Sequence, residues 1–141
     1  MQRRKIYFGH PVNSYNTELE KILLSRIGLI FPGCDIVNPN SPEHERGYQE
    51  RKASTGNGMD YFLKEVLPSC HCGVFLPFRD GKLGQGVYKE ALQLSESGKS
   101  VFEISVKEEF FTLDLTETSR VLSVEETRAR IRDVDGNLLP Y

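Results

Sequence analysis

No apolar run in the chain approaches the roughly 20 residues that cross a bilayer, so no segment reads as a membrane span. The basic start, Met1-Gln2-Arg3-Arg4-Lys5, leads into an apolar run too short for the core of a signal peptide. Cysteine is scarce: Cys34, Cys70 and Cys72 are an odd number with one C-x-C pair, which excludes a disulfide framework and suits reduced thiols in a cytoplasmic protein. An excess of positive charge is missing too, since 18 Lys and Arg face 20 Asp and Glu for a net charge of −2. Without a positive field to neutralise phosphates, a nucleic-acid polymer is excluded as a partner. No internal repeat and no shift in composition divides the chain, which reads as a single domain over 1–141. What is present is ordinary for a globular protein: 38% hydrophobic and 27% charged residues in a chain of 141. That length suffices to hide about two-thirds of the unfolded surface in one core.

The order of elements predicts an α/β fold. Lys5-Ile6-Tyr7-Phe8, ending at Gly9, reads as a first buried strand. Thr17 then caps a helix whose apolar spacing runs through Leu19, Ile22, Leu23 and Ile27 to a terminal Gly28. Asp35-Ile36-Val37 is a second short strand. From Asn38 to Gly58 the residues are polar and carry neither period, which predicts a mobile, substrate-side loop. Met59 to Leu67 has helical spacing and is stopped by Pro68, and Gly73 to Pro77 is a third strand. A glycine-rich turn leads into a helix from Val87 to Ser97, followed by a fourth strand, Val101 to Ile104. Phe110 to Leu115 reads as an edge strand, and Ser123-Val124-Glu125-Glu126 as a capping box opening a helix to about Ile131. This alternation argues for a Rossmann-like (flavodoxin-like) parallel sheet flanked by helices.

In such sheets ligands bind beyond the carboxyl ends of the strands. The loop after the first strand offers Gly9, His10, Asn13 and Ser14, and the loop after the third offers Arg79, Asp80, Gly84, Gln85 and Gly86, as substrate-binding candidates. Glu90 lies three residues after Val87 and one before Ala91 of the inward stripe, so its carboxylate leans toward the helix N-terminus. The helix dipole favours its ionised form, as a nucleophile requires; an acid that merely complements the dipole has the same spacing. Asp60 opens the preceding helix and reads either as a first-turn acid or as the partner of Glu90 in a two-carboxylate glycosidic cleavage. Tyr7 could orient a carboxylate or simply pack on its strand. His10, His44 and His71 are far apart, and Cys70-His71-Cys72 is too compact for a zinc site without a fourth ligand, so neither a metal nor another cofactor is expected.

Ile6-Tyr7-Phe8-Gly9, the acid opening the helix before the third strand, and Gly86-Val87-Tyr88-Lys89-Glu90-Ala91 ahead of Gly98-Lys99 together resemble the nucleoside 2-deoxyribosyltransferase superfamily, which includes the 2'-deoxynucleoside 5'-monophosphate N-hydrolases. The likeness covers about residues 5 to 104. It implies that Glu90 attacks the anomeric carbon, that Tyr7 positions it and that Asp60 faces the nucleobase and helps protonate it. The chain departs from the family in having His71 where an acid is common, Gly84 where transferases carry an aspartate, and no arginine in the first loop. Asp80 would then substitute for the aspartate, and Arg79, or Arg46 and Arg51, would supply charge for a phosphate. The resulting expectation is an enzyme that cleaves or transfers the N-glycosidic bond of a nucleoside, deoxynucleoside or nucleotide through a covalent glycosyl-Glu90 intermediate. A non-catalytic nucleotide-binding module and a small interaction domain are the alternatives. By analogy with the family a homo-oligomer is expected.

Overall fold

The computed structural model describes residues 3–141; Met1 and Gln2 of the basic N-terminal run lie outside the described residues. Five strands, β1 (Lys5–Gly9), β2 (Asp35–Val37), β3 (Cys72–Phe75), β4 (Ser100–Ile104) and β5 (Phe110–Thr112), form one sheet in the order β2-β1-β3-β4-β5. The first three pairings are parallel, with Tyr7 opposite both Val37 and Gly73, and β5 is an antiparallel edge beside β4. This is the expected Rossmann-like α/β architecture. The chain steps outward from β1 to β2, then crosses back to β3 on the other side of β1. That reversal separates the loops above β1 and β3 and opens a crevice at their carboxyl ends.

Alternation along the strands sorts the core onto two faces. Ile6 and Phe8 of β1, with Cys72 and Val74 of β3, pack under Leu23 and Ile27 of α1 (Glu18–Ile30). Tyr7 and Phe75 point the other way and pack with Val87, Ala91 and Leu94 of α4 (Gln85–Glu96). Cys70 and Cys72 fall on opposite faces, both as free thiols. Burial pushes the Cys72 thiol up to about 11 and raises Cys70, so both behave as small apolar side chains.

Four elements differ from the sequence reading, and the smallest change is in β5, which ends at Thr112 and not at Leu115. α1 does not stop at Gly28 but continues to Ile30, where the Phe31 N–H still reaches the Ile27 carbonyl at 2.9 Å. The polar stretch after β2 is not a structureless loop: Pro42–Thr55 is a helix, α2. Ser41 caps it by accepting the His44 N–H, Pro42 occupies its first turn, and Gly56 ends it at φ 79°, a left-handed conformation that glycine adopts without strain. No residue of α2 is buried, so it lacks the apolar stripe by which helices are usually found. The next helix, α3 (Met59–Tyr61), passes into a π-helical turn over Phe62–Val66 and a 3-10 turn over Leu67–Ser69 that contains Pro68. The capping box at Ser123 is present as predicted and opens α5 (Val124–Ile131).

No helix among the described residues is long and apolar enough to cross a membrane.

Candidate active site

A cleft of about 1180 Å³ opens above the carboxyl ends of β1 and β3. Its floor is set by two side chains from elements that the sheet order brings together. Tyr7 is wholly buried on β1, and its hydroxyl donates a hydrogen bond to Oε2 of Glu90, which stands in the second turn of α4 on the same face as Val87 and Ala91. Oε1 of Glu90 takes no hydrogen bond from the described residues. Gly9 makes room for it: a Cβ there would lie 3.1 Å from Oε1 and 2.5 Å from the Phe75 ring. The absence of a side chain at the end of β1 therefore lets the carboxyl group sit directly over the strand.

Burial dominates the electrostatics of this pair. Removal from water pushes the Glu90 carboxyl up to about 8, while the hydrogen bond from Tyr7 pulls the other way. The Tyr7 phenol is raised well above its ordinary value by the same burial and by the neighbouring carboxyl. The raised value runs against the expectation that the helix dipole keeps Glu90 ionised. Burial thus favours the protonated form of Glu90.

The remaining candidates divide into those that face the cleft and those that build its wall. His10, Gly84 and Gly86 line the cleft with Glu90 and Tyr7. His10 offers its ring and not a nitrogen: Nδ1 lies 3.0 Å from the Phe8 carbonyl and Nε2 lies 2.8 Å from Glu20, with the ring stacked on Phe8. Burial pushes Glu20 up, but hydrogen bonds from His10, Asn40 and the Asn16 backbone outweigh it and hold the carboxyl below its ordinary value. This network ties the loops after β1 and β2 to α1.

No family model matches the chain, and no curated protein matches it.

Asn13, Ser14, Arg79, Asp80 and Gln85 do not line the cleft. Ser14 Oγ donates to the Pro11 carbonyl at 2.6 Å, and the Gln85 N–H donates to Thr127 Oγ1 at 2.9 Å, which seats α5 against the start of α4. The other three hold the C-terminal segment. Asn13 Nδ2 donates to the carbonyls of Arg130, Leu139 and Pro140 at 3.1, 3.2 and 3.4 Å. Arg79 Nε donates to Tyr141 O at 3.0 Å, and Asp80 accepts both arms of the Arg130 guanidinium at 2.7 Å, which keeps its carboxyl below the usual range. Residues of α5 and of the turn beyond it, held in this way, form one side of the cleft.

Asp60 is not brought to Glu90. Its carboxylate accepts from Lys64 Nζ and Asn57 Nδ2, both at 3.3 Å, and it does not line the cleft. Arg46 and Arg51 do not face it either, Arg51 being paired with Glu65 at 3.0 Å. The sequence reading missed the groups that stand there instead: Glu45, Tyr48 and Lys52 of α2, Arg128 of α5, Arg132 just beyond it, and Tyr15. The α2 residues could have been found from Ser41-Pro42, because a helix starting there places positions 45, 48 and 52 on one face. Tyr15 packs on His10 with ring centroids 4.7 Å apart, and burial, reinforced by Glu90 and Glu20, raises its phenol; its hydroxyl makes no hydrogen bond with the described residues.

Proposed function

We propose that the protein breaks an N-glycosidic bond of a nucleoside, deoxynucleoside or nucleotide, with Glu90 as the nucleophile. The observation that carries this reading is the buried Tyr7–Glu90 pair at the floor of a large cleft, one carboxyl oxygen engaged and the other unbonded. A buried carboxyl group without a cationic partner is destabilising, and a raised carboxyl in a cleft marks a functional candidate on physical grounds.

In the proposed reaction Glu90 first gives its proton to solvent water at the open side of the cleft. Oε1 of the carboxylate then attacks the anomeric carbon while the bond from that carbon to the base nitrogen breaks, the electron pair leaving with the base, which takes up a proton. The positive charge that develops on the sugar falls beside a carboxylate poorly stabilised by water, so the interaction strengthens toward the transition state. Tyr7 fixes the orientation of the carboxylate through Oε2. Water or a second base then attacks the anomeric carbon and gives up its proton to the carboxylate on the base side, while the bond from that carbon to Oε1 breaks and releases Glu90 as a carboxylate. Since Asp60 faces Lys64, the base side of the reaction falls to the other carboxyl group that reaches the cleft from α2, Glu45.

The test is incubation with a panel of nucleosides and nucleoside monophosphates, read by chromatography for free base and by mass spectrometry of the rapidly quenched protein. The reading requires release of base and a glycosyl adduct on the peptide containing Glu90, both lost in Glu90→Ala. Wild-type rates in that variant would refute the covalent mechanism.

A further inference from the structure

One hydroxyl in the cleft is held firmly in place and left without a protein partner. Tyr15 closes the 3-10 turn that follows β1, its backbone N–H donating to the Val12 carbonyl at 3.1 Å. The turn is pinned at its far end, where the Thr17 hydroxyl donates to the Ser14 carbonyl at 2.6 Å beside the start of α1. The Tyr15 ring packs on His10 with centroids 4.7 Å apart, and His10 is itself fixed, stacked on Phe8 at 4.0 Å with both ring nitrogens engaged. The side chain is half-buried and lines the cleft together with Glu90, yet its hydroxyl bonds to no described residue. Withdrawing a phenol hydroxyl from water without a hydrogen bond costs free energy that a phenylalanine in the same packing would not incur. A hydroxyl so placed is arranged for something that enters the cleft.

The surroundings limit what that hydroxyl can meet. Glu90, Glu20 and Glu45 all act on it as neighbouring negative charges, so an anionic ligand group would be repelled and the partner is neutral. Its place relative to Glu90 narrows the partner further. β1 ends at Gly9, where the absent side chain leaves room for Oε1, and the Tyr15 ring packs on the next residue, His10. The Tyr15 hydroxyl and the attacking oxygen therefore meet a substrate at the same end of β1. In a nucleoside of natural configuration a nucleophile attacks the face opposite the base, and that face carries the 2'- and 3'-hydroxyls, while the 5'-carbon shares the face of the base. Building on the glycosidic reading above, we propose that the Tyr15 hydroxyl binds a hydroxyl on the attacked face of the furanose and makes the protein selective for sugars that carry one. Tyr7 cannot serve in this way, because its hydroxyl is committed to Oε2 of Glu90. A bond from Tyr15 would orient the ring for attack by Oε1, and hydrogen bonds to sugar hydroxyls strengthen as the oxocarbenium-like charge develops.

The test changes the protein and the sugar together. Base release by the wild type and by Tyr15→Phe is measured on ribose, 2'-deoxyribose, 3'-deoxyribose and 2',3'-dideoxyribose nucleosides, with adenine and with uracil as the base. The loss of kcat/KM in Tyr15→Phe is expected to be about tenfold greater on a sugar bearing the bound hydroxyl than on the dideoxy sugar, the scale of one hydrogen bond. A loss that persists with 2'-deoxyribose assigns the 3'-hydroxyl, and one that persists with 3'-deoxyribose assigns the 2'-hydroxyl. Tyr15→Phe keeps the ring on His10 and breaks no bond within the protein, so its thermal midpoint should not fall below that of the wild type. Equal losses on all four sugars, or no loss on any, would overturn the assignment. Titration calorimetry of the same nucleosides with Glu90→Gln, with and without Tyr15→Phe, separates this assignment from the reading beneath it. A Tyr15-dependent preference for the hydroxylated sugar without base release by the wild type rejects the glycosidic reading alone. Base release with no such preference rejects the Tyr15 assignment alone, and binding of none of the nucleosides rejects both.

Discussion

Replacing Glu90 by glutamine keeps the shape of the buried group and removes its titration, which turns the raised carboxyl into a measurable dependence of stability on pH. Burial lifts the group from 4.5 to about 8. In the unfolded chain the carboxyl gives up its proton above its ordinary value, while in the folded protein it keeps the proton until about pH 8. Between those limits the folded state binds one more proton, so its stability falls as pH rises. The advantage is full below about 4.5 and gone above about 8. Each pH unit across this window is worth about 1.4 kcal/mol, which puts about 5 kcal/mol as the upper bound on the change and a few kcal/mol as its scale. Glu90→Gln has no such term. Urea unfolding of both proteins from pH 4 to pH 9 should therefore show the variant gaining on the wild type by several kcal/mol up to pH 8 and running parallel above it. Taking the difference between the two proteins cancels every other titrating group. Parallel curves throughout would mean that Glu90 titrates as an exposed carboxyl does, and the argument that burial raises its carboxyl would fail. A variant that is both inactive and more stable at pH 8 would mark Glu90 as kept for its chemistry at a cost in stability.

If Glu90 attacks as a carboxylate, kcat/KM should rise with pH and level off above about 8, whereas a profile that falls through that pH would assign it the opposite, acidic role. Tyr7→Phe removes the hydrogen bond that lowers the Glu90 value, so the rising limb should move to higher pH and the rate at pH 7 should drop at least about tenfold. Asp60→Asn weakens its pair with Lys64, whose ammonium is mostly exposed, and its bond from Asn57, and should cost about 1 kcal/mol in urea unfolding with little change in rate. Glu45→Gln should slow substrates with poor leaving bases more than activated ones, and equal losses on both would remove Glu45 from the base side. Arg120→Ala strands Glu103, a buried β4 carboxylate held by two 2.8 Å bonds, and should lower stability by about 3–5 kcal/mol in urea unfolding.

The central sheet could be read from sequence because its strands are short apolar runs bounded by turn residues, and parallel strands covered on both faces keep that pattern regardless of context. The Tyr7–Glu90 pairing came from the family resemblance, because spacing alone left Glu90 as an acid that complements the helix dipole and Tyr7 as a packed strand aromatic. α2 was lost because its cap and its terminal glycine are local signals, while periodicity needs buried residues that it does not have. Asp60 was misplaced by a matter of direction. The first turn of α3 was assigned correctly, but which side of a short helix faces the cleft depends on the helices packed around it. Asn13, Arg79 and Asp80 were placed on the right loops, but their bonds run to residues 130–141, whose path no local signal reveals.

That last arrangement bears on how the protein reaches its working form. Asn13 is bonded across 117 residues of sequence to Arg130 and across still more to Leu139 and Pro140. Contacts so distant along the chain close late, after the more local β1, β3 and α4 pairings have reduced the entropy of joining them. They also open first when few buried apolar groups back them, and α5 buries none of its residues. Hydrogen exchange should accordingly find a partly unlatched form in which the sheet is native and one side of the cleft has swung away, giving a bulky ligand a way in that does not require the domain to unfold.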